Sequence, residues 1–209
     1  MSEIKYSTVL DLFCGCGGMS LGFEEAGYHV LLGIDIWKDA LETYKYNHKQ
    51  SKTLCADMAS LNPVEVEKLL DGHKIDVIIG GPPCQGFSIA GKRIVDDERN
   101  KLYKGFVRMV NYFQPKAFVM ENVPNILSIG GGAVKEAIIK DFEELGYHIE
   151  VQVMLASNYG VPQNRRRAVF VGTRNNAVYE FPAPYSIPKV TSKEALSDLP
   201  DNSLPEGSP

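Results

Sequence analysis

Short apolar runs rich in β-branched residues alternate along this chain with longer stretches of helical spacing. The runs are Thr8 to Phe13, Val30 to Ile34, Leu54 to Ala56, Ile75 to Ile79, Ala117 to Met120, Ile149 to Leu155 and Ala168 to Gly172. Each is short enough for a buried strand and bounded by turn residues. Between them, helices are predicted over Ser20 to Ala26, Trp37 to Asn47, Pro63 to Leu70 and Val134 to Leu145. Gly27 stops the first, and Pro63 opens the third. Leu102, Phe106, Met109, Val110 and Phe113 mark one more amphipathic helix after Asn100. Strands alternating with helices predict an α/β fold: a mostly parallel sheet with helices on both faces.

The pattern fades after Tyr179. Pro182, Pro184, Pro188, Pro200, Pro205 and Pro209 mark an extended connector over 181–209, with one short helix near Lys193 to Leu196. Residues 1–180 therefore read as one domain. A hydrophobic fraction of 44% and a charged fraction of 23% fit an ordinary globular protein. No apolar run approaches a membrane span, and Met1 to Lys5 lack the apolar core of a signal peptide. Four cysteines, at 14, 16, 55 and 84, lack metal-site spacing and read as free thiols, which suits a cytoplasmic location and no bound metal. The net charge of −4 argues against a protein that coats nucleic acid non-specifically. Two local basic clusters remain: Lys92, Arg93, Arg99, Lys101, Lys104 and Arg108, and Arg165 to Arg167. Each is either a solvated face or part of a groove.

The stretch that organises the chain follows the fourth run. Gly80-Gly81-Pro82-Pro83 stops the strand and holds Cys84 at its carboxyl end, where open α/β sheets bind ligands. Two prolines stiffen that loop. On these residues alone Cys84 is either an inert buried thiol or a nucleophile. The turn after the first run, Gly15-x-Gly17-Gly18, lets a polar ligand approach backbone amides without interference from Cβ atoms. A dinucleotide fingerprint would need glycine at 20, where this chain has Ser20, so a dehydrogenase is disfavoured. Asp35, twenty residues after Gly15 and closing the second run, stands where such folds place a ribose-binding acid.

Pro82-Pro83-Cys84-Gln85-Gly86-Phe87-Ser88 resembles the catalytic loop of the cytosine-C5 DNA methyltransferases. Further blocks of that family occur in order: Asp11 to Gly18, Glu121-Asn122-Val123, and Gln163-Asn164-Arg165-Arg166-Arg167. The resemblance spans about Val9 to Pro200 and implies a Rossmann-like fold that uses S-adenosylmethionine. It implies that Phe13 lies against adenine with Ile36 on the other side, that Gly15, Cys16 and Gly18 border the methionine part, and that Asp35 takes the ribose. Asp57 would accept from the adenine amino group, with Met58, Pro83 and Leu102 in the same pocket. Asp35 stands where the family more usually has Glu. Trp37, one residue beyond the stacking position, reads as helix packing.

The resemblance also assigns the chemistry. Cys84 would add to cytosine C6, making C5 nucleophilic. Glu121 would supply the proton at N3, a role that burial favours by keeping the carboxyl protonated. Arg167 would hold O2, Arg165 would support the Cys84 loop or a phosphate, and Arg166 would face solvent. Pro82, Gln85, Ser88 and Asn122 would touch the substrate, and Gly91 to Arg99 would form a mobile lid over a base flipped out of DNA. Family members continue into a region that reads bases and then a helix that returns beside the first strand. The sequence ends nine residues after Pro200, which leads to the expectation either of a split enzyme whose second polypeptide carries those parts or of a truncated enzyme or gene remnant. Two alternatives stay open: the same chemistry on RNA, and a non-catalytic S-adenosylmethionine-binding subunit.

Overall fold

A computed structural model describes residues 6–83, 100–175, 177–186 and 188–199. Cys84, Gln85, Ser88 and the lid expected at Gly91 to Arg99 lie outside the described residues.

Seven strands form one sheet: β1 (Thr8–Leu12), β2 (His29–Asp35), β3 (Lys52–Cys55), β4 (Val77–Gly80), β5 (Ala117–Asn122), β6 (His148–Leu155) and β7 (Arg166–Thr173). Their order is β3-β2-β1-β4-β5-β7-β6. β1 is flanked on both sides by parallel partners, and the next strand in sequence goes to one side of it while β4 goes to the other. A crevice opens at such a reversal, outside the carboxyl ends of the strands.

β1 to β5 all run parallel, so their carboxyl ends share one edge. β7 inserts antiparallel between β5 and β6. Its amino end therefore arrives at that same edge, bringing Arg166 and Arg167 to it.

The helices are α1 (Gly18–Glu25), α2 (Lys38–Asn47), α3 (Pro63–Leu69), α4 (Lys101–Phe113), α5 (Ala133–Glu143) and the short α6 (Ser192–Ala195). Pleating sends alternate residues to opposite faces. Leu10, Leu12, Leu32, Ile34, Ile78, Phe118, Met120 and Phe170 build the main core with Phe106, Met109 and Val110 of α4 and Ile138 and Phe142 of α5. On the other face Val9, Val30, Val77 and Ile79 pack with Met19 and Phe23 of α1. Two boundaries matter for chemistry. β5 runs two residues beyond the apolar run, which makes Glu121 and Asn122 strand residues, and β7 begins two residues before its apolar run.

Candidate active site

The cofactor end is built from the first three strands. β1 ends in a reversal in which Phe13 and Gly15 take φ of 61° and 53° and Gly17 takes 93°. A side chain at Gly17 would collide with the buried ring of His48, 2.1 Å from where its Cβ would lie, so this turn closes only on glycine. Cβ atoms added at Gly15 and Gly18 would meet nothing within 4 Å, so the turn borders open space.

Asp35 closes β2 beside that turn. Its Oδ2 accepts from the Gly15 N–H at 2.8 Å and its Oδ1 from the Trp37 N–H at 2.9 Å. A carboxylate has about four lone-pair sites. Two remain unoccupied by described residues, and the turn it faces already fixes the short arm of the aspartate in place. Ile36 and Trp37 follow with 67% and 64% of their surfaces exposed. The expectation that Trp37 packs its helix is thus corrected: it stands at the amino end of α2 with its ring in solvent.

Beyond β3, Asp57 opens a tight turn in which its Oδ1 accepts from the Ala59 N–H. Cys16 and Asp57 are exposed, Leu102 of α4 is half-buried against the core, and the Met58 side chain is fully inside it. Of the pocket residues expected from sequence, Met58 therefore has only its backbone near the turn's surface.

The chemical end is built from β4, β5 and β7. Asn122 is 5% exposed; its Nδ2 donates to the Pro82 carbonyl at 2.9 Å, and its Oδ1 accepts from the Val123 N–H at 2.9 Å. Both halves of that amide are used within the chain, so Asn122 acts as a tie on the loop entering Cys84. Pro82 is buried beneath the tie and Pro83 is exposed. Glu121 and Val169 are ladder partners, and Arg167 is two residues from Val169 on the same face. Oε1 of Glu121 lies 2.6 Å from Nε of Arg167 and 3.3 Å from Nη2 of Arg165. Oε2 points the other way: a Cβ at Gly81 would sit 3.3 Å from it. The carboxylate thus lies between the arginines and the loop carrying Cys84. It is not sealed in apolar surroundings as expected; its side chain is 25% exposed and paired with two guanidinium groups. Arg166, on the opposite face, is exposed.

Among the described cysteines, Cys14 is buried, and burial, followed by the charges of Asp11 and Asp35, pushes its thiol up. It stays a thiol at neutral pH. No group of His, Cys, Asp and Glu among the described residues is arranged to hold a metal ion, and no described helix is long and apolar enough to cross a membrane.

Sequence reasoning missed one polar cluster behind the cofactor turn. The Ser20 hydroxyl donates to Oδ2 of Asp11 at 2.6 Å and lies 2.8 Å from the Tyr44 hydroxyl. Ser20, the residue that breaks the dinucleotide fingerprint, was its only signal.

Comparison with known proteins bears on this geometry. The family model for the C-5 cytosine-specific DNA methylase matches residues 7–208. The Type II methyltransferase M1.HphI of Haemophilus parahaemolyticus is 41% identical over 204 residues, covering 96% of this chain and 55% of that protein. M.DdeI of Desulfomicrobium norvegicum is 41% identical over 210 residues, covering 95% of this chain and 50% of its own length. A prophage-encoded E. coli protein described as a DNA modification methyltransferase superposes with a TM-score of 0.80 at 36% identity, over 93% of this chain and 56% of that one. The chain spans about half the length of the curated relatives it matches.

Proposed function

This chain belongs to the C-5 cytosine-specific DNA methylase family, and from that premise we propose that it carries the methyl-transfer machinery of a DNA (cytosine-5-)-methyltransferase. The observation that carries the reading is the Glu121–Arg167 pair, held at the sheet edge beside the loop that leads into Cys84.

Cytosine C5 is too weak a nucleophile to take a methyl group directly. In the proposed reaction the Cys84 thiolate bonds to C6, and the electrons of the C5=C6 bond move onto C5. Glu121, after taking a proton from solvent, passes it to N3, so the ring does not accumulate negative charge, and regains it when the thiolate leaves; Arg167 donates to O2. N3 and the exocyclic O2 on neighbouring C2 lie side by side on one edge of the base, and a carboxyl and a guanidinium 2.6 Å apart match that spacing. S-adenosylmethionine, when bound, supplies the methyl group that C5 takes up. Loss of the C5 proton then expels the thiolate and restores the double bond. Asn122 keeps the loop entering Cys84 in register with Glu121, and Arg165 holds the other side of the same carboxylate oxygen.

The residues present fit that cofactor. Asp35 retains lone pairs for a ribose, the Gly15 and Gly18 turn borders open space, Phe13, Ile36 and Asp57 follow the ends of β1, β2 and β3, and Leu102 lies in the first turn of α4. The reading includes DNA as substrate and a further polypeptide that reads bases. The half-buried Val119 and Val169 leave a sheet face on which such a polypeptide, or further residues of the same protein, would pack.

Methyl transfer and cofactor binding, measured side by side, test this reading. Glu121→Gln and Arg167→Ala should each slow transfer by about 100-fold or more while leaving S-adenosylmethionine affinity within about threefold. Loss of cofactor binding in both variants would place the pair in the wrong pocket.

A further inference from the structure

The turn after β3 is held from two sides. Its N–H groups face Asp57: Ala59 donates to Oδ1 at 2.9 Å, and Ser60 and Leu61 donate to the Asp57 carbonyl at 3.1 and 2.9 Å. Its carbonyls face the opposite way and converge on one atom. Nη2 of Arg108 donates to the Met58 carbonyl at 2.7 Å and the Leu61 carbonyl at 3.1 Å, with the Ala59 carbonyl at 3.5 Å. Such charge-assisted bonds are the strong class. One turn earlier on α4, Gly105 presses on the same turn: a Cβ there would lie 2.4 Å from the Met58 oxygen. The Met58 side chain is fixed in the main core. Asp57 is thus left with an exposed carboxylate whose Oδ2 has no partner among the described residues.

We propose that Arg108 is a positioning residue for purine specificity: by clamping the 57–61 turn to α4, it fixes Asp57 as an acceptor that selects a 6-amino purine over a 6-oxo purine. This rests on the assignment of Asp57 to the adenine amino group made above. A carboxylate rewards a donor and rejects an acceptor only if it cannot swing away, because a free acceptor relaxes toward water when the wrong ligand arrives. The turn's own hydrogen bonds orient Asp57 within the turn, and the buried Met58 side chain pins one point of it, about which the turn could still pivot. Arg108 and Gly105 remove that pivot. They also couple it to Leu102, since α4 carries both the clamp and the expected wall of the same pocket.

The test compares two cofactor products that differ at purine position 6 and in the proton that the 6-oxo form carries on N1: S-adenosylhomocysteine and S-inosylhomocysteine, titrated separately into each protein with Trp37, the single tryptophan, as the fluorescence reporter. Taking the ratio of the two dissociation constants within one preparation cancels any inactive fraction. The wild-type chain should favour the adenosyl compound by on the order of 10- to 100-fold, the range for a hydrogen bond to a charged group. Arg108→Ala should cut that preference to about threefold or less, chiefly by losing adenosyl affinity. Asp57→Ala should do the same, and the double variant should lose nothing further, since the two act through one contact. Gly105→Ala, which displaces the Met58 carbonyl while keeping the guanidinium, should also lower the preference and decides the matter if Arg108→Ala does not fold. If every folded variant of Arg108 or Gly105 keeps the wild-type ratio while weakening both ligands equally, the residues are merely structural and the inference is overturned. If the wild type shows no preference, or Asp57→Ala retains it, the assignment of Asp57 fails first and takes the inference with it.

Discussion

At the scale of single residues, the site is a set of charges whose partners fix their roles. Asp11 shows this most plainly. It is buried at the end of β1, with its Oδ1 lacking a hydrogen-bond partner among the described residues. Burial pushes its carboxyl up to about 7; the Ser20 hydroxyl bond pulls down and the neighbouring Asp35 charge pushes up again. The folded chain therefore holds a proton that the unfolded chain has already released between about pH 4 and pH 7. The stabilisation is fully present below that window and lost as pH rises through it. Asp11→Asn cannot titrate and can still accept from Ser20. Its stability relative to the wild type should improve by on the order of 2 kcal/mol between pH 5 and pH 8, read from urea midpoints at the two pH values. Parallel stability curves would show that Asp11 is ionised in the fold.

Glu121 and Arg167 were legible as candidates because their residue types stand in recognisable blocks. The pairing between them was not, since it depends on β7 running antiparallel beside β5. Asn122 illustrates the same limit. Its place beside Glu121 suggests a substrate contact, but strand alternation turns it to the opposite face, under Pro82. Asn122→Ala should leave the Pro82 carbonyl without its partner and cost about 1–3 kcal/mol of stability. Cofactor affinity should stay unchanged, and calorimetric melting beside a binding titration checks both.

At the scale of elements, the parallel half of the sheet was readable from apolar runs alternating with helical spacing. The direction of β7 was readable only from what lies between strands. Residues 156–167, between the two apolar runs, hold no predicted helix, the usual filling of a parallel crossover. Runs buried on both faces look alike in either direction. The extension of β7 back to Arg166 escaped the hydrophobic pattern because its first two residues are charged and sit at the open edge. α4 carries the clearest periodicity in the chain, but its clamp on the 57–61 turn is a contact between a guanidinium and backbone carbonyls, which no residue pattern encodes. Gly105→Ala gains about 1 kcal/mol of helix propensity and loses more by overlapping the Met58 carbonyl. A net loss of about 1–3 kcal/mol is expected, measured by thermal or denaturant unfolding. A more stable variant would mean that α4 does not press on the turn.

At the scale of the whole molecule, one edge of the sheet collects the residues for both ends of the proposed reaction. Five parallel carboxyl ends supply Phe13, Asp35, Asp57, the Gly81-Pro82-Pro83 loop and Glu121, and one antiparallel amino end supplies Arg167. The chain matches about half the length of its curated relatives, and Val119 and Val169 are only half-buried on the α1 face. The proposed reading expects DNA methylation by these 209 residues to rise when the remaining half of a relative is supplied, in the same chain or as a separate polypeptide. Robust methylation by the chain alone would remove the need for that addition. The central claim is narrower: one thiol attacks cytosine C6 at this edge. Duplex DNA carrying 5-fluorocytosine blocks the final proton loss, so the complemented protein, given S-adenosylmethionine, should form a denaturation-resistant adduct visible as a shifted band. Cys84→Ser should abolish that band, whereas an undiminished band from the serine variant would contradict the account.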